Sequence, residues 1–198
     1  MRLSRALGMA LTPKAVKYFE RRPYPPGEHG RARRKTDSDY AVRLREKQRL
    51  RAQYGIREVQ MTRAFEEARK ESGLTGEALV ELLEMRLDAL VLRAGLARTI
   101  LQARQVVVHR HLMIDGKIVD RPSYRVKPGT TVQIKPRSAQ SPQFQVAAAG
   151  AHRDVLPQVP AYLQVDLEEL KFTLTARPKR VQVPVTCEVQ LVVEYYAR

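Results

Sequence analysis

The residues of this sequence that could do chemistry are above all its cations, since 36 Lys or Arg stand against 21 Asp or Glu. Residues 1–51 hold 15 Lys or Arg against 5 Asp or Glu, and residues 86–137 hold 11 against 3. Residues 52–85, which lie between these blocks, carry a net charge of −3. Because ammonium and guanidinium groups bind phosphates, two separate basic blocks predict two contact surfaces for one polyanion.

The histidines and the single cysteine do not form a metal or nucleophile pattern. His109 and His111 are two residues apart, but His29 and His152 lie in distant segments, and a zinc site usually needs four ligands. Because Cys187 is the single cysteine, neither an intrachain disulfide nor a Cys-rich zinc site can form. Cys187 is interpreted as a small buried hydrophobic residue. No phosphate-binding glycine loop and no Ser/His/Asp set occurs. We therefore expect neither a metal nor a cofactor.

Composition narrows the class of protein further. The chain has 198 residues, 43% of them hydrophobic, which suits one or two folded domains at roughly 100–200 residues each. Its pI is near 10.4, as expected of a nucleic-acid binder, although an anionic membrane could also attract it. A mean hydropathy of −0.41 without a long apolar run predicts no membrane span, and the N-terminus lacks the apolar stretch of a secretory signal.

The elements that must position the first basic block are an arm and a helix. Residues 1–37 are predicted to be an extension stiffened by Pro23, Pro25 and Pro26, with a basic run at 31–35 that could equally be a solvated tail. Residues 38–54 are predicted to be a helix capped by Ser38 and ended by Gly55. This helix is basic nearly all round, which is typical of a helix that is solvated or surrounded by something anionic.

A leucine-rich helical region follows. A helix is predicted over 60–72, closed by Gly73, and Thr75 is predicted to cap the next one. Leucines at helical spacing from Leu79 to Leu90 indicate a core-facing stripe, broken near residues 85–86. Residues 181–193 are predicted to be strand-like.

The second basic block is predicted to fold as helices packed on a short twisted sheet. Thr99 caps a helix to about residue 108, whose apolar stripe leaves Arg98, Gln102, Gln105 and His109 on the other side. Asp115-Gly116 between apolar runs predicts a two-residue hairpin, and a turn at 128–129 leads to a strand at 132–134. The predicted fold class is therefore α+β, with a module at 86–137.

These motifs resemble the universal small-subunit ribosomal protein four (S-four) family over nearly all of the chain. The resemblance is carried by the following segments: 22–30, 38–48, 65–68, 82–84, Arg86-Leu87-Asp88, 93–95, 103–105, Asp115-Gly116-Lys117, 122–126, and 192–198, the last of which resembles the closing strand of the family. The departures are an N-terminal region without zinc-binding cysteines, Ile100 and Leu101 in place of basic residues, Arg110 in place of glycine, and a poor match over 138–160.

The resemblance implies a structural, non-enzymatic protein of the cytoplasmic ribosome. It implies early binding to the five-prime domain of small-subunit rRNA at a multi-helix junction, contact with small-subunit protein five, a position near the mRNA entry path and a contribution to translational accuracy. The implied organisation is a basic arm (1–37), a helical domain (38–85, completed by 138–198) and an RNA-binding module (86–137). The RNA-contact residues predicted from charge and resemblance are Arg31, Arg33, Arg34, Lys35, Arg43, Arg45, Lys47, Arg49, Arg51, Arg98, Gln102, Arg104, Gln105, His109, Arg110, His111, Lys117 and Arg121.

Two other classes of protein that contain the same small module are alternatives to a ribosomal protein. Arg86-Leu87-Asp88 resembles the catalytic triplet of pseudouridine synthases, but Leu87 belongs to the apolar stripe and Asp88 lies near a helix start, where an acid is favoured. The 146 residues outside the module are also expected to lack a second set of strands that could hold an active site. A non-ribosomal RNA-binding regulator or ribosome-rescue factor would be expected to lack the arm and the 38–48 helix, both of which this chain has.

Overall fold

The protein folds as an α+β structure, as its sequence predicts. A computed structural model describes residues 1–32 and 36–197. Over those residues the helices are α1 (Arg2–Leu7), α2 (Pro13–Arg21), α3 (Asp39–Gln53), α4 (Glu58–Ala68), α5 (Thr75–Glu84), α6 (Leu87–Arg93), α7 (Ile100–Val108), α8 (Pro136–Ala139), α9 (Pro142–Ala148) and α10 (Val189–Tyr196). Short 3-10 turns lie at Glu28–Arg31 and Arg180–Gln182. The strands are β1 (Leu112–Ile114), β2 (Lys117–Ile118), β3 (Thr131–Ile134), β4 (Leu163–Asp166) and β5 (Lys171–Leu174).

The five strands form one antiparallel sheet in the order β2-β1-β3-β5-β4. Along β3, Val132 and Ile134 are buried while the residues between them are exposed, as the two-residue period of a strand requires. β4 and β5 are two strands outside the module that the sequence analysis did not predict. They lie far along the chain, but Val132 of β3 pairs with Phe172 of β5, so the C-terminal region extends the sheet of the module.

Local signals located the hairpin turn and two of the helix caps correctly, whereas the helix predicted to close at Gly73 ends at Ala68. Asp115 and Gly116 both have positive φ, 49° and 75°, which a type I′ hairpin turn between β1 and β2 needs. The hydroxyl of Ser38 accepts a hydrogen bond from the Ala41 amide, and the hydroxyl of Thr99 accepts one from Gln102. The predicted helix break is confirmed, because α5 ends at Glu84 and α6 begins at Leu87. The predicted Thr75 cap is one residue off, since Thr75 is the first residue of α5.

The N-terminal region is not the extension that its prolines suggested. It contains α1 and α2, and the chain then folds back onto α1 through one side chain. Arg5 donates hydrogen bonds from Nε to the Tyr24 carbonyl at 2.8 Å and from Nη2 to the Pro25 carbonyl at 3.0 Å. The Pro-rich segment is therefore held against the first helix by an arginine that could not be assigned this role from local sequence.

The C-terminal segment corrects a second prediction, because α10 is a helix where a closing strand was expected. Val189, Val192, Val193 and Tyr196 repeat at helical spacing and face the core, with Val192 fully buried. α10 packs against α3, and the ring of Tyr196 stacks on Phe65 with centroids 4.8 Å apart. Burial of this stripe overrides the β-propensity of its valines.

A buried carboxylate joins the helical part of the chain to the sheet. Glu84, which is 0% exposed, accepts hydrogen bonds from the hydroxyls of Tyr54 at 2.6 Å and Tyr162 at 2.7 Å. Arg93 donates to the same carboxylate from Nε at 2.6 Å and from Nη2 at 3.2 Å. Burial and the Glu84 charge raise the pKa of both tyrosines, so their hydroxyls stay protonated donors. This Glu84 cluster ties the C-terminal end of α3, α5, α6 and the chain before β4 into one core.

Candidate nucleic-acid interface

The cations of α3, which sequence assigned to the RNA surface, are engaged inside the protein. Arg43 Nε lies 2.7 Å from a carboxylate oxygen of Glu194, and Arg45 pairs with Asp37. Arg49 pairs with Glu46 at 2.5 Å and donates from Nε to the Leu7 carbonyl at 2.8 Å.

Further along α3, Arg51 Nη1 lies 3.3 Å from Glu58. The α3 cations thus connect this helix to α1, α4 and α10.

Lys47 is the clearest correction to the predicted contacts. Its side chain is 4% exposed, its Nζ lies 2.9 Å from Glu58, and it sits 4.5 Å from the centre of the Tyr195 ring. Burial would raise the pKa of Glu58, but the hydrogen bonds from Lys47 and Tyr196 outweigh it and hold that pKa below its ordinary value. Since Lys47 is enclosed by protein, it cannot contact RNA directly.

In the basic run of the arm, Arg31 is exposed, while Arg33, Arg34 and Lys35 lie outside the described residues. Arg31 Nη2 donates to the Tyr24 hydroxyl at 3.0 Å and its guanidinium lies 4.9 Å from the ring centre. Arg5 covers the same ring at 4.7 Å. The hydrogen bond from Arg31 lowers the pKa of Tyr24. Arg31 is therefore held at the surface at the start of the basic run.

Helix α2 carries exposed cations that the sequence analysis did not identify, because it predicted an extension for this region. Lys14, Lys17 and Arg21 are all exposed, whereas Ala15 is buried and Phe19 half-buried on the other side of the helix. Their i, i+3, i+7 spacing was visible in the sequence and is the signal that could have found them. Among residues 1–32 and 36–197, none of the three cations has an acidic partner.

In the module, α7 presents the predicted face. Ile100, Ala103 and Val107 are buried, which confirms the apolar stripe. Arg98, Gln105 and His109 are exposed, and Gln102 is half-buried with its amide oxygen accepting from the Arg98 backbone at 2.9 Å. Leu101 is 66% exposed, so the apolar departure from the family pattern lies on this outer face.

The hairpin and its flanks add further cations to the module. Lys117 and Arg121 are exposed, and in the described part of the chain neither has an acidic partner. Arg110 has a φ of 62° and is exposed, with Nη2 3.0 Å from Asp120.

The rings of His109 and His111 lie with their centres 6.1 Å apart, and His111 Nδ1 is 2.9 Å from the Ser138 hydroxyl. Burial, with smaller contributions from the charges of His109 and Lys135, lowers the pKa of His111. His111 is therefore neutral at neutral pH in the free protein.

Arg104 lies at the edge of this face beside a buried ion pair. Asp88 is 1% exposed and accepts two hydrogen bonds from Arg86, at 2.9 and 2.7 Å, while Arg104 Nη1 is 3.8 Å away. Burial raises the pKa of Asp88 despite these two guanidinium groups. An acid enclosed in this way cannot reach a substrate.

The family-like segment at residues 122–126 has a structural role. The amide of Leu87 donates to the Tyr124 carbonyl at 2.8 Å, and Val126 donates to Met85 at 2.9 Å. Arg125 forms a bidentate ion pair with Glu67 of α4. The segment after the hairpin therefore fastens the start of α6 and joins the module to the helical part.

Other kinds of site find no support in the described residues. Within residues 1–32 and 36–197, no group of three His, Cys, Asp or Glu side chains is placed so that it could hold a metal ion. Burial, mainly, raises the pKa of Cys187 to about 12, so this thiol is a poor nucleophile at neutral pH.

Over the described parts of the chain, none of the helices combines the length and the apolar character that a bilayer crossing requires.

Comparison with known proteins assigns both parts of the chain. A model of the ribosomal protein S4/S9 N-terminal domain matches residues 1–84, and a model of the S4 domain matches residues 85–132. The small ribosomal subunit protein uS4 of Beutenbergia cavernae is 76% identical over 198 residues, covering 100% of this chain and 95% of the relative. The proteins of the same name from Arthrobacter sp. and Leifsonia xyli are 77% and 73% identical, covering 100% and 99% of this chain and 95% of each relative. Two exposed basic surfaces, a fold that joins them through one core, and these full-length matches lead to one conclusion: the chain belongs to the uS4 family of small ribosomal subunit proteins.

Proposed function

We propose that this protein is a primary assembly protein that binds the five-prime domain of small-subunit rRNA at a multi-helix junction. It acts in the cytoplasm as a structural constituent of the ribosome and catalyses no reaction. The observation that carries the proposal is the group of exposed module cations, Arg98, Lys117 and Arg121, which have no acidic partners among residues 1–32 and 36–197. Free cations on a rigid frame are what a phosphate backbone requires.

The mechanism is electrostatic and geometric. Arg and Lys side chains neutralise phosphates and release counterions, so affinity falls as salt concentration rises. Specificity comes from the shape of the junction, because side chains do not read the deep and narrow major groove of A-form RNA. The Glu84 cluster and the Arg125–Glu67 ion pair support this mechanism by fixing the module relative to the helical part.

The contact set divides by exposure. We propose direct contacts for the exposed predicted residues, and for Arg104, which is half-exposed, and the partly buried Gln102 and His111 at the edge of the same face. These residues are Arg31, Arg98, Gln102, Arg104, Gln105, His109, Arg110, His111, Lys117 and Arg121. For Arg43, Arg45, Arg49 and Arg51 we propose an indirect role, in which they hold the N-terminal helices and α10 in place. Arg33, Arg34 and Lys35 stay proposed contacts, with the run that they form after Arg31 as the segment that reaches mRNA.

The organisation and the remaining partners are proposed on family membership. The chain consists of a basic N-terminal region (1–37), a helical domain (38–85 with 138–198) and an RNA-binding module (86–137). Within the subunit it touches small-subunit protein five, lies near the mRNA entry path and contributes to translational accuracy. The match of the N-terminal family model to residues 1–84 favours this assignment over a regulator or rescue factor that keeps the module alone.

The test is binding to a transcript of the five-prime domain, with a transcript of another rRNA domain of equal length as the control. We expect tighter binding to the five-prime domain over a range of salt concentrations. Replacing Arg98, Lys117 and Arg121 with alanine should reduce the slope of log affinity against log salt by about 2–3. Equal affinity for both transcripts, or an unchanged slope, would overturn the proposal.

A further inference from the structure

We propose that α2 forms a second phosphate-binding surface, made by Lys14, Lys17 and Arg21 and occupied by the rRNA backbone; this inference rests on the proposed function. At 3.6 residues per turn the three side chains leave the helix within an arc of about 60°. Lys14 and Arg21 are about 10 Å apart along the helix axis, a length over which a nucleic-acid strand presents several successive phosphates. We call these three residues the α2 stripe.

The α2 stripe lacks the internal partners that occupy the cations of α3. The acid nearest in sequence, Glu20, is exposed and forms no ion pair with the stripe within the described residues. By contrast, each of the five α3 cations lies within 3.3 Å of a carboxylate. Three uncompensated charges on one helix face repel one another, and an external polyanion is the partner that relieves this repulsion.

The helix that carries the stripe is anchored to the rest of the protein on its other side and at both ends. Ala15, which is fully buried, anchors the opposite face of α2, and Phe19 on the same side is half-buried. Arg49 of α3 holds the end of α1 at the Leu7 carbonyl, and Arg5 holds the chain that leaves α2 at Arg22 and Tyr24. The hydrogen bonds from Arg49 and Arg5 therefore hold the chain on both sides of α2, which lowers the conformational cost of binding.

The chemistry of the helix favours RNA over a membrane. An interfacial membrane helix needs a broad apolar face that can enter the bilayer. On α2, Ala15 is buried and Phe19 half-buried, so Val16, at 44% exposed, is the main aliphatic side chain open to solvent and does not make such a face. Tyr18, next to the stripe, is 46% exposed and could stack on an unpaired base. A basic stripe with a neighbouring exposed aromatic ring fits a nucleic-acid backbone with splayed bases.

The experiment compares two variants that each lose three exposed cations. The first is Lys14→Ala/Lys17→Ala/Arg21→Ala, and the second, as control, is Arg63→Ala/Arg69→Ala/Lys70→Ala around α4. Each variant is titrated with the five-prime-domain transcript at several salt concentrations. We expect the first variant to lower the salt slope by about 2–3, and the control to leave it unchanged.

The outcomes separate this inference from the proposed function. If the α2 variant keeps the wild-type slope, or if both variants lose slope equally, the α2 stripe is not a phosphate site. If the wild-type protein itself does not prefer the five-prime-domain transcript, the proposed function fails instead. Thermal melting of each variant checks folding, and the single replacement Lys17→Glu, which should weaken binding by charge reversal, serves if the triple variant melts early.

Discussion

Helices α2 and α3 are both rich in Lys and Arg, yet the structure uses their charges in opposite ways. On α3 the cations point at Glu46, Glu58, Glu194 and Asp37, and Lys47 is enclosed entirely. On α2 the cations face outward without acidic partners among the described residues. Charge content alone therefore does not identify a nucleic-acid surface, because pairing and burial decide which cations are available to phosphates.

A buried ion pair joins Arg93 to Glu84, and we expect its removal to cause the largest loss of stability. Glu84→Gln would leave the Arg93 guanidinium, whose side chain is 11% exposed, without a charged partner. We expect a loss of about 3–5 kcal/mol in the free energy of unfolding, measured by urea denaturation. Glu66→Gln, at an exposed position, is the control and should change stability by less than about 0.5 kcal/mol. A loss no greater than that of the control would show that the cluster does not hold the core together.

A smaller effect is expected for Arg49 of α3. Arg49→Ala removes hydrogen bonds to the Leu7 carbonyl and to Glu46, so stability should fall by about 1–3 kcal/mol. Amides of α1 should exchange with solvent faster, while those of α9 should not change. Amide hydrogen exchange measures both, and unchanged protection of α1 would contradict the role that we give to the α3 cations.

The smallest expected effect is a pH dependence at His111. Burial first, then the charges of His109 and Lys135, lower its pKa in the folded protein. The unfolded chain therefore takes up the proton at higher pH than the folded protein does. The stability that neutral His111 contributes is present above its ordinary pKa of about 6.5, and is lost as the pH falls through that value toward the folded pKa.

The effect of His111 can be isolated by replacement. The melting temperature should fall slightly more between about pH 7.5 and about pH 5.5 in the wild type than in His111→Asn. RNA should bind more tightly at the lower pH, because phosphate favours the protonated ring. Identical pH profiles of melting for the two proteins would remove His111 as a titrating group.

Sequence predicted those elements whose determinants are local. The Asp115-Gly116 turn, the Ser38 and Thr99 caps, and the helix break before Leu87 follow from residues only a few positions apart. α10 and the strands β4 and β5 escaped prediction because their partners are distant in the chain. The valines of α10 become helical by packing on α3, and β5 takes its register from β3.

The same distinction applies to the candidate interface. Arg98 lies beside the predicted Thr99 cap, and Lys117 and Arg121 lie in or beside the predicted hairpin, so these residues could be found from sequence. Pairing of Arg43 with Glu194 spans 151 positions, and Lys47 meets Glu58 only after α3 and α4 have packed. Because the locations of these acids are set by tertiary structure, sequence could not show that the α3 cations were already engaged.

The most direct test sets two matched pairs of charges against each other. Lys14→Ala/Lys17→Ala removes two cations from α2, and Arg45→Ala/Arg49→Ala removes two from α3. Both variants are titrated with the five-prime-domain transcript over a range of salt concentrations, and both are melted. We predict that the α2 pair lowers the salt slope by about 1.5–2 with an unchanged melting temperature, while the α3 pair keeps the slope and melts earlier. The reverse result, with slope lost from α3 and not from α2, would contradict the conclusion that internal pairing separates the two helices.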